Sequence, residues 1–295
     1  MRRGDRNALA RAITLVENDQ SGAETLLRSL RSGAVRSFVL GVTGPPGTGK
    51  STLVDRLIRA YRAKGLKVGV IAVDPTSPIT GGALLGDRIR MTDHTTDKGV
   101  YIRSMASRGW SGGLTRSTAQ VVQLMDAAGF EIILIETIGI GQSDIEIFGI
   151  AHAVLVVVMP GMGDDIQVSK AGLMEIGDIY VVNKSDLEGA DQMVVNLLTM
   201  VRGLKSKPPA VTRVSALRNE GMGDLMGAIE NLRSTFRQNG SDMKLRSTKG
   251  MIFELAKSRV LDDFNRSAGP KIEKLAREVL SERVSVNEAA RRLAE

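Results

Sequence analysis

The chain has no cysteine and only two histidines. The first absence removes disulfides, thiolate metal sites and cysteine nucleophiles together, and it fits a reducing compartment. His94 and His152 have no second ligand at metal spacing, so a structural or surface role is expected of both. Aromatic residues make up 3% of the chain, leaving few rings on which nucleic-acid bases could stack. The net charge of +7 comes from Lys and Arg spread along the whole length, which reads as a solvated basic surface for anionic ligands rather than a nucleic-acid interface. Long apolar runs are missing too. The longest, Ala153–Met159, is far too short to span a bilayer. The start, MRRGDRNALA, has positive charge but no apolar run behind it, unlike a secretory signal. These absences predict a soluble, cytoplasmic protein with neither a membrane nor a nucleic-acid partner.

What is present suits a globular protein. At 295 residues, 42% hydrophobic and 25% charged, the chain can hold one large domain, or one domain with helical extensions. Ser37–Thr52, SFVLGVTGPPGTGKST, is its most informative stretch. A short apolar strand, Phe38–Val42, runs into a glycine-rich turn, and a helix begins near Lys50 with Leu53, Leu57 and Ile58 at helical spacing. The turn, Gly44-Pro45-Pro46-Gly47-Thr48-Gly49-Lys50-Ser51, with Thr52 following, matches the phosphate-binding loop pattern. Glycines let the backbone fold tightly and aim its N–H groups at phosphate oxygens, and the helix adds its positive end. Lys50 is expected to reach the β- and γ-phosphates, and the Ser51 hydroxyl to ligate Mg²⁺.

Further apolar runs follow at Lys67–Val73, Val100–Ile102, Ile132–Ile135, Val154–Met159, Ile179–Val182 and Val211–Val214. Helical stretches such as Thr115–Ala128 and Gln192–Arg202 separate most of them. The alternation predicts an α/β fold: a P-loop NTPase with a mostly parallel central sheet flanked by helices. Residues 1–35 read as a helical arm, with Ser21 and Glu24 as a capping box, and 36–237 as the nucleotide-binding domain. Residues 238–295 read as a helical extension. It comprises one helix carrying Met251, Ile252, Leu255 and Leu261, a second carrying Ile272, Leu275, Val279 and Leu280, and a last short one capped by Ser285 and Glu288. Such helices cannot bury their apolar stripes alone and must dock on the core or on a second subunit.

Ligands of parallel sheets bind beyond the carboxyl ends of the strands, where Asp74, Glu136 and Asn183 fall. Asn183-Lys184-Ser185-Asp186 places a carboxylate where it can accept from guanine N1–H and the 2-amino group; adenine offers neither donor there. Ser215, Ala216 and Leu217, after the next strand, are expected to supply a guanine-contacting loop. Asp74, Glu136 and Asp87 are candidate metal and switch residues beside Ser51, since Mg²⁺ prefers oxygen ligands. Arg88, Arg90, Arg103 and Arg108 crowd the same region, and one of them could stabilise charge on a γ-phosphate. Trp110, the sole tryptophan, reads as packing.

The loop, VDPTSP-x-TGG-x-LLGDR, IRSMASRG, ETIGIGQS and VVNKSD together resemble the ArgK/MeaB family, which includes the methylmalonic aciduria type A protein. The likeness covers nearly the whole chain. It implies a GTPase that binds GTP/GDP and Mg²⁺ and acts as chaperone to an adenosylcobalamin-dependent acyl-CoA mutase of the methylmalonyl-CoA mutase type. Such a chaperone gates cobalamin loading and protects the mutase, and is typically a homodimer joined through its helical extensions. By the same likeness Lys50, Asp74 and Glu136 carry the catalytic site, and Asn183, Lys184 and Asp186 read guanine. The segment Gly139–Asp144 is the expected switch. Ile140, not glutamine, follows Gly139, unlike Ras-type enzymes, so a slow intrinsic rate raised by the partner is expected. A kinase passing the γ-phosphoryl group to a small or protein acceptor is the competing reading, and a metal-insertion GTPase a weaker one, for want of cysteine ligands.

Overall fold

A computed structural model describes the backbone of residues 5–18, 21–30, 34–74, 92–94, 96–106, 116–139, 142–162, 174–202 and 208–294. It divides into two compact units, Met1–Met251 and Ile252–Glu295.

The first unit is built on seven parallel strands in the order β3-β2-β4-β1-β5-β6-β7 among the described residues. They are β1 (Phe38–Thr43), β2 (Val68–Asp74), β3 (Val100–Ala106), β4 (Ile132–Glu136), β5 (Ala153–Val158), β6 (Ile179–Val182) and β7 (Ala210–Arg213). Every residue of β1, β2, β4, β5 and β6 is buried, because helices cover both faces and leave no polar side to alternate toward. The helices of this unit are α1 (Arg6–Glu17), α2 (Ala23–Arg28), α3 (Lys50–Ala63), α4 (Arg116–Ala127), α5 (Gln142–Ile150), α6 (Ala190–Val201) and α7 (Met222–Asn239). Helix α3 turns Leu53, Val54, Leu57, Ile58 and Tyr61 into the sheet, each fully buried. Each of the four aliphatics contributes roughly 1.5–3 kcal/mol by leaving water. With Leu225, Ile229 and Phe236 of α7 they join the strand side chains in one apolar cluster.

The N-terminal arm packs on this core. Leu9, Ala12, Ile13 and Val16 of α1 are buried, and Asp5 caps the helix by accepting from Asn7 and Ala8. Arg103 of β3 reaches Glu17 and Thr14 of α1, so this arginine is a tie between arm and sheet. The capping box expected at Ser21 and Glu24 does not form. Gly22, at φ +99°, caps α2 through its backbone geometry with no side-chain bond, and Glu24 instead pairs with Arg28 at 2.7 Å.

The expected break between the two C-terminal helices is also absent. One 40-residue helix, α8 (Ser241–Leu280), begins in the first unit and continues through Gly269 and Pro270 into the second. A proline inside a helix forfeits one hydrogen bond, and neighbouring turns carry it when good helix formers flank it. Glu273–Arg277, at 2.7 Å, is one such supporting pair. The last helix, α9 (Val286–Ala294), is capped as expected by Ser285, whose hydroxyl accepts from the Glu288 N–H at 3.1 Å. The Glu288 carboxylate turns forward to Arg291 and Arg292 instead of back to the cap. No helix among the described residues is long and apolar enough to cross a membrane.

Candidate functional site

Strand β1 is the centre of the sheet, with β4 on one side and β5 on the other. The chain visits β2, β3 and β4 on one flank and then crosses to β5, β6 and β7. The carboxyl end of β1 is therefore where the connections diverge, and a crevice opens there. The glycine-rich loop fills that position. Gly44, Gly47 and Gly49 hold φ of +138°, +79° and +86°. At Gly44 the constraint is also steric: a Cβ would lie 2.0 Å from the Val157 carbonyl oxygen of β5. At Gly49 it would lie 2.4 Å from the Asn183 side-chain nitrogen.

The loop, the first turn of α3, and the ends of β2 and β4 enclose a cleft of about 310 Å³. Pro46, Gly47, Lys50, Ser51 and Thr52 line one wall, with Asp74, Glu136, Thr137 and Ile138 opposite. Lys50 is buried, and its ammonium donates to the carbonyls of Gly44, Pro45 and Ile138 at 2.8, 3.1 and 3.3 Å. The loop and the segment leaving β4 thus share one cation. Their approach is close: a Cβ on Gly139, at φ +87°, would sit 2.0 Å from the Gly44 carbonyl oxygen. Ser51 donates to a Glu136 carboxylate oxygen at 2.7 Å, both side chains buried. Asp74, also buried, ends the strand next to β4 and completes a set of hard oxygen donors. A hydroxyl and two carboxylates lining one cleft suit Mg²⁺, which binds through one or two carboxylates and keeps phosphate and water oxygens. Thr137 and Thr43 join the ends of β4 and β1 by a hydroxyl bond of 2.9 Å.

A second cluster lies where β6 and β7 end. Asp186 accepts from the Ser215 hydroxyl at 2.7 Å, and Arg218 stands 3.6 Å from its other oxygen. The Ser215 bond above all holds the Asp186 carboxyl below the usual carboxylate range, so it is ionised and an acceptor at neutral pH. The loop 215–220 is pinned by a two-way backbone bridge between Ser215 and Glu220. Lys184 sits between the motif's ends at φ +55°.

Asn183 ties the two clusters together. Its amide nitrogen donates to the Thr48 carbonyl at 2.7 Å, and its oxygen accepts from the Ala216 N–H at 3.0 Å. The side chain is a strut between the loop before α3 and the loop 215–220, and the second Asp186 oxygen faces Arg218. Leu217 is exposed beside it.

The structure therefore brings together Lys50, Ser51, Asp74 and Glu136 in one cleft, and Asn183, Asp186, Ser215 and Ala216 in an adjoining cluster. Asp87, Arg88, Arg90, Arg108 and Trp110 lie outside the described residues, as do Ile140 and Gly141 of the expected switch. Both histidines are engaged structurally: His94 pairs with Asp55 at 2.7 Å, and His152 is buried beneath Phe38 and Phe236. Sequence reasoning missed Arg56 of α3, which donates to the carbonyls of Ala216 and Leu217 at 2.8 and 3.0 Å. Nothing local marks that arginine, because its partners lie 160 residues away.

Comparison with known proteins agrees with this geometry. The chain is 49% identical over 247 residues to a Pyrococcus abyssi protein named as a GTPase candidate, covering 81% of this chain and 76% of the relative. It is 35% identical over 262 residues to GTPase ArgK of Escherichia coli, covering 85% and 79%. It is 32% identical over 313 residues to the mitochondrial methylmalonic aciduria type A homolog of Mus musculus, covering 98% and 75%. Among solved structures, one described as LAO/AO transport system kinase superposes with a TM-score of 0.68 at 26% identity, covering 99% of this chain and 93% of that one. Residues 9–268 match the family described as methylmalonyl-CoA mutase-associated GTPase MeaB, and the chain belongs to that family of P-loop GTPases.

Proposed function

We propose that this GTPase is a nucleotide-operated chaperone of an adenosylcobalamin-dependent acyl-CoA mutase, gating cobalamin loading and protecting the mutase from inactivation. The reading is supported by the joined phosphate and base clusters, in which Asn183 links Thr48 to Ala216. It is supported equally by the family, whose description names the mutase. GTP and GDP bind across the two clusters. Lys50 meets the β- and γ-phosphates, the loop N–H groups cradle them, and Asp186 reads guanine. Mg²⁺ is held by Ser51 with Asp74 and Glu136, and when bound it supplies charge neutralisation at the phosphates. Glu136, at the end of β4, orients the metal side of the cleft, and the segment from Gly139 senses the nucleotide. Residues 238–295 serve as the homodimer contact: Ile252, Phe253, Val260, Leu261, Phe264 and Ile272 are all exposed in the chain taken alone. The protein works in the cytoplasm.

The test is hydrolysis of GTP and ATP with and without a methylmalonyl-CoA mutase. Turnover confined to GTP and raised by the mutase is the expected result. Because one solved structure that superposes on this chain is described as a kinase, the same assay follows phosphate transfer to protein and small-molecule acceptors. A phosphorylated acceptor appearing in step with GTP loss, or indifference to the mutase, would overturn the chaperone reading.

A further inference from the structure

The peptide unit of Ala216 is gripped on both sides by side chains from the phosphate half of the site. Its N–H is taken by Asn183, which also holds Thr48, and its C=O by Arg56 of α3. Arg56 holds the next carbonyl, Leu217, with a second guanidinium nitrogen at 3.0 Å. A planar guanidinium reaching two successive carbonyls at 2.8 and 3.0 Å fixes direction as well as distance, which a single point donor cannot do. These carbonyls belong to the loop whose Ser215 orients Asp186. Arg56 does not line the phosphate cleft, and the two carbonyls it holds are backbone atoms that any sequence would supply. It therefore acts on the loop's position and not on its chemistry.

We infer that Arg56 is a positioning residue for base selectivity, locking the 215–217 loop to the phosphate-loop helix so that Asp186 and the loop backbone meet guanine in fixed register. The inference rests on the assignment of Asp186 as the guanine reader. Discrimination between guanine and adenine depends on hydrogen bonds that tolerate little displacement, whereas triphosphate binding depends on the loop before α3. Loosening the base loop thus weakens selectivity while sparing the phosphate end. The two halves of the site are joined twice, by Asn183 inside and Arg56 outside. Asn183 is buried under Gly49, so its removal disturbs the phosphate loop as well. Arg56, part-buried at its Nε and exposed at its Nη2, can be changed without that disturbance.

The experiment uses the full-length chain. Release of a fluorescent GDP analogue, KM and kcat for GTP and ATP, and melting without nucleotide are measured for wild type, Arg56→Ala and Arg56→Lys. For Arg56→Ala we expect analogue release about tenfold faster, the equivalent of one lost hydrogen bond to a charged group. The preference for GTP over ATP in kcat/KM should fall by about the same factor through KM for GTP, with kcat little changed. Arg56→Lys recovers part of the loss, because an ammonium reaches one carbonyl but not both. Unchanged release and selectivity would overturn the inference. So would an equal loss for GTP and ATP together with a lower melting point, which would mark Arg56 as merely structural. Asp186→Asn is run in parallel, since an amide there should favour xanthosine triphosphate, which carries an acceptor where guanine has its 2-amino group. If that variant keeps its guanine preference, the base-reading assignment falls and the role of Arg56 with it. If it switches while Arg56→Ala keeps full selectivity, only the role of Arg56 falls.

Discussion

His152 makes the stability of this fold depend on pH in a way that can be calculated. The ring packs against Phe38 and Phe236, with centroids at 6.3 and 4.2 Å, and its Nδ1 accepts the Val39 N–H at 3.0 Å. Burial, with Arg246 and then Lys244 adding repulsion, lowers its pKa from 6.5 to about 3. The folded protein therefore keeps the ring neutral where the unfolded chain protonates it. A depressed histidine contributes stability that is complete above 6.5 and lost as pH falls from 6.5 toward 3. Integrating that linkage gives a loss of about 2 kcal/mol between pH 7 and pH 5, and about 3 kcal/mol by pH 4. The carboxylates Asp55, Asp97 and Asp186 are all lowered and lose their contribution only at more acid pH, and comparison with a variant that lacks the imidazole cancels what the two proteins share. The matched variant is His152→Asn, whose amide oxygen can replace Nδ1 as acceptor for Val39. It is less stable at every pH through lost ring packing, but it has nothing to protonate. Urea unfolding at pH 7, 6 and 5 should show the difference between the two proteins shrinking by about 2 kcal/mol. A difference that stays constant across that range would refute the reasoning.

Three further outcomes follow from the geometry. Gly44→Ala should abolish nucleotide binding, since its Cβ would strike the Val157 carbonyl oxygen at 2.0 Å, while Gly47→Ala, with open space around it, costs only about 1 kcal/mol for its left-handed backbone; calorimetric titration with GDP separates the two. Ser51→Ala should raise the Mg²⁺ concentration for half-maximal GTP turnover roughly 10–100-fold, and an unchanged Mg²⁺ titration would remove Ser51 from the metal set. Gly250→Ala should destabilise by about 1–3 kcal/mol or more in urea unfolding, because its Cβ would sit 2.0 Å from the Gly149 carbonyl oxygen where α5 meets α8; a wild-type midpoint would refute that crossing.

Five of the seven strands were legible because strands buried on both faces are written as largely apolar runs, while β3 and β7, at the sheet edges and only partly buried, showed through shorter apolar stretches. The residues of the phosphate cleft were legible for a related reason. Gly44, Lys50 and Ser51 act through local backbone geometry, which a short motif encodes. Legibility failed where one residue's role depends on a distant one. Asn183 is recognisable from its motif, yet its use as a strut depends on Thr48 and Ala216 converging on it. Arg56 carries no signal at all until the 215–217 loop is placed beside α3. The helix break expected before Ile272 failed differently. Gly269 and Pro270 are strong local punctuation, but the cooperativity of a long helix outweighs one missing hydrogen bond. At Ser21 the reverse happened: a neighbouring glycine took the cap position and made the serine unnecessary.

The Lys50 ammonium has one further consequence. It carries three hydrogens, and the carbonyls of Gly44, Pro45 and Ile138 stand at 2.8, 3.1 and 3.3 Å from it. A phosphate oxygen arriving at this group therefore meets an ammonium already engaged by backbone carbonyls, and its hydrogen bonds must be redistributed. The longest of the three bonds belongs to Ile138, on the segment that leaves β4. Phosphate and that peptide thus draw on the same ammonium, which ties the segment leaving β4 to whatever the cleft binds.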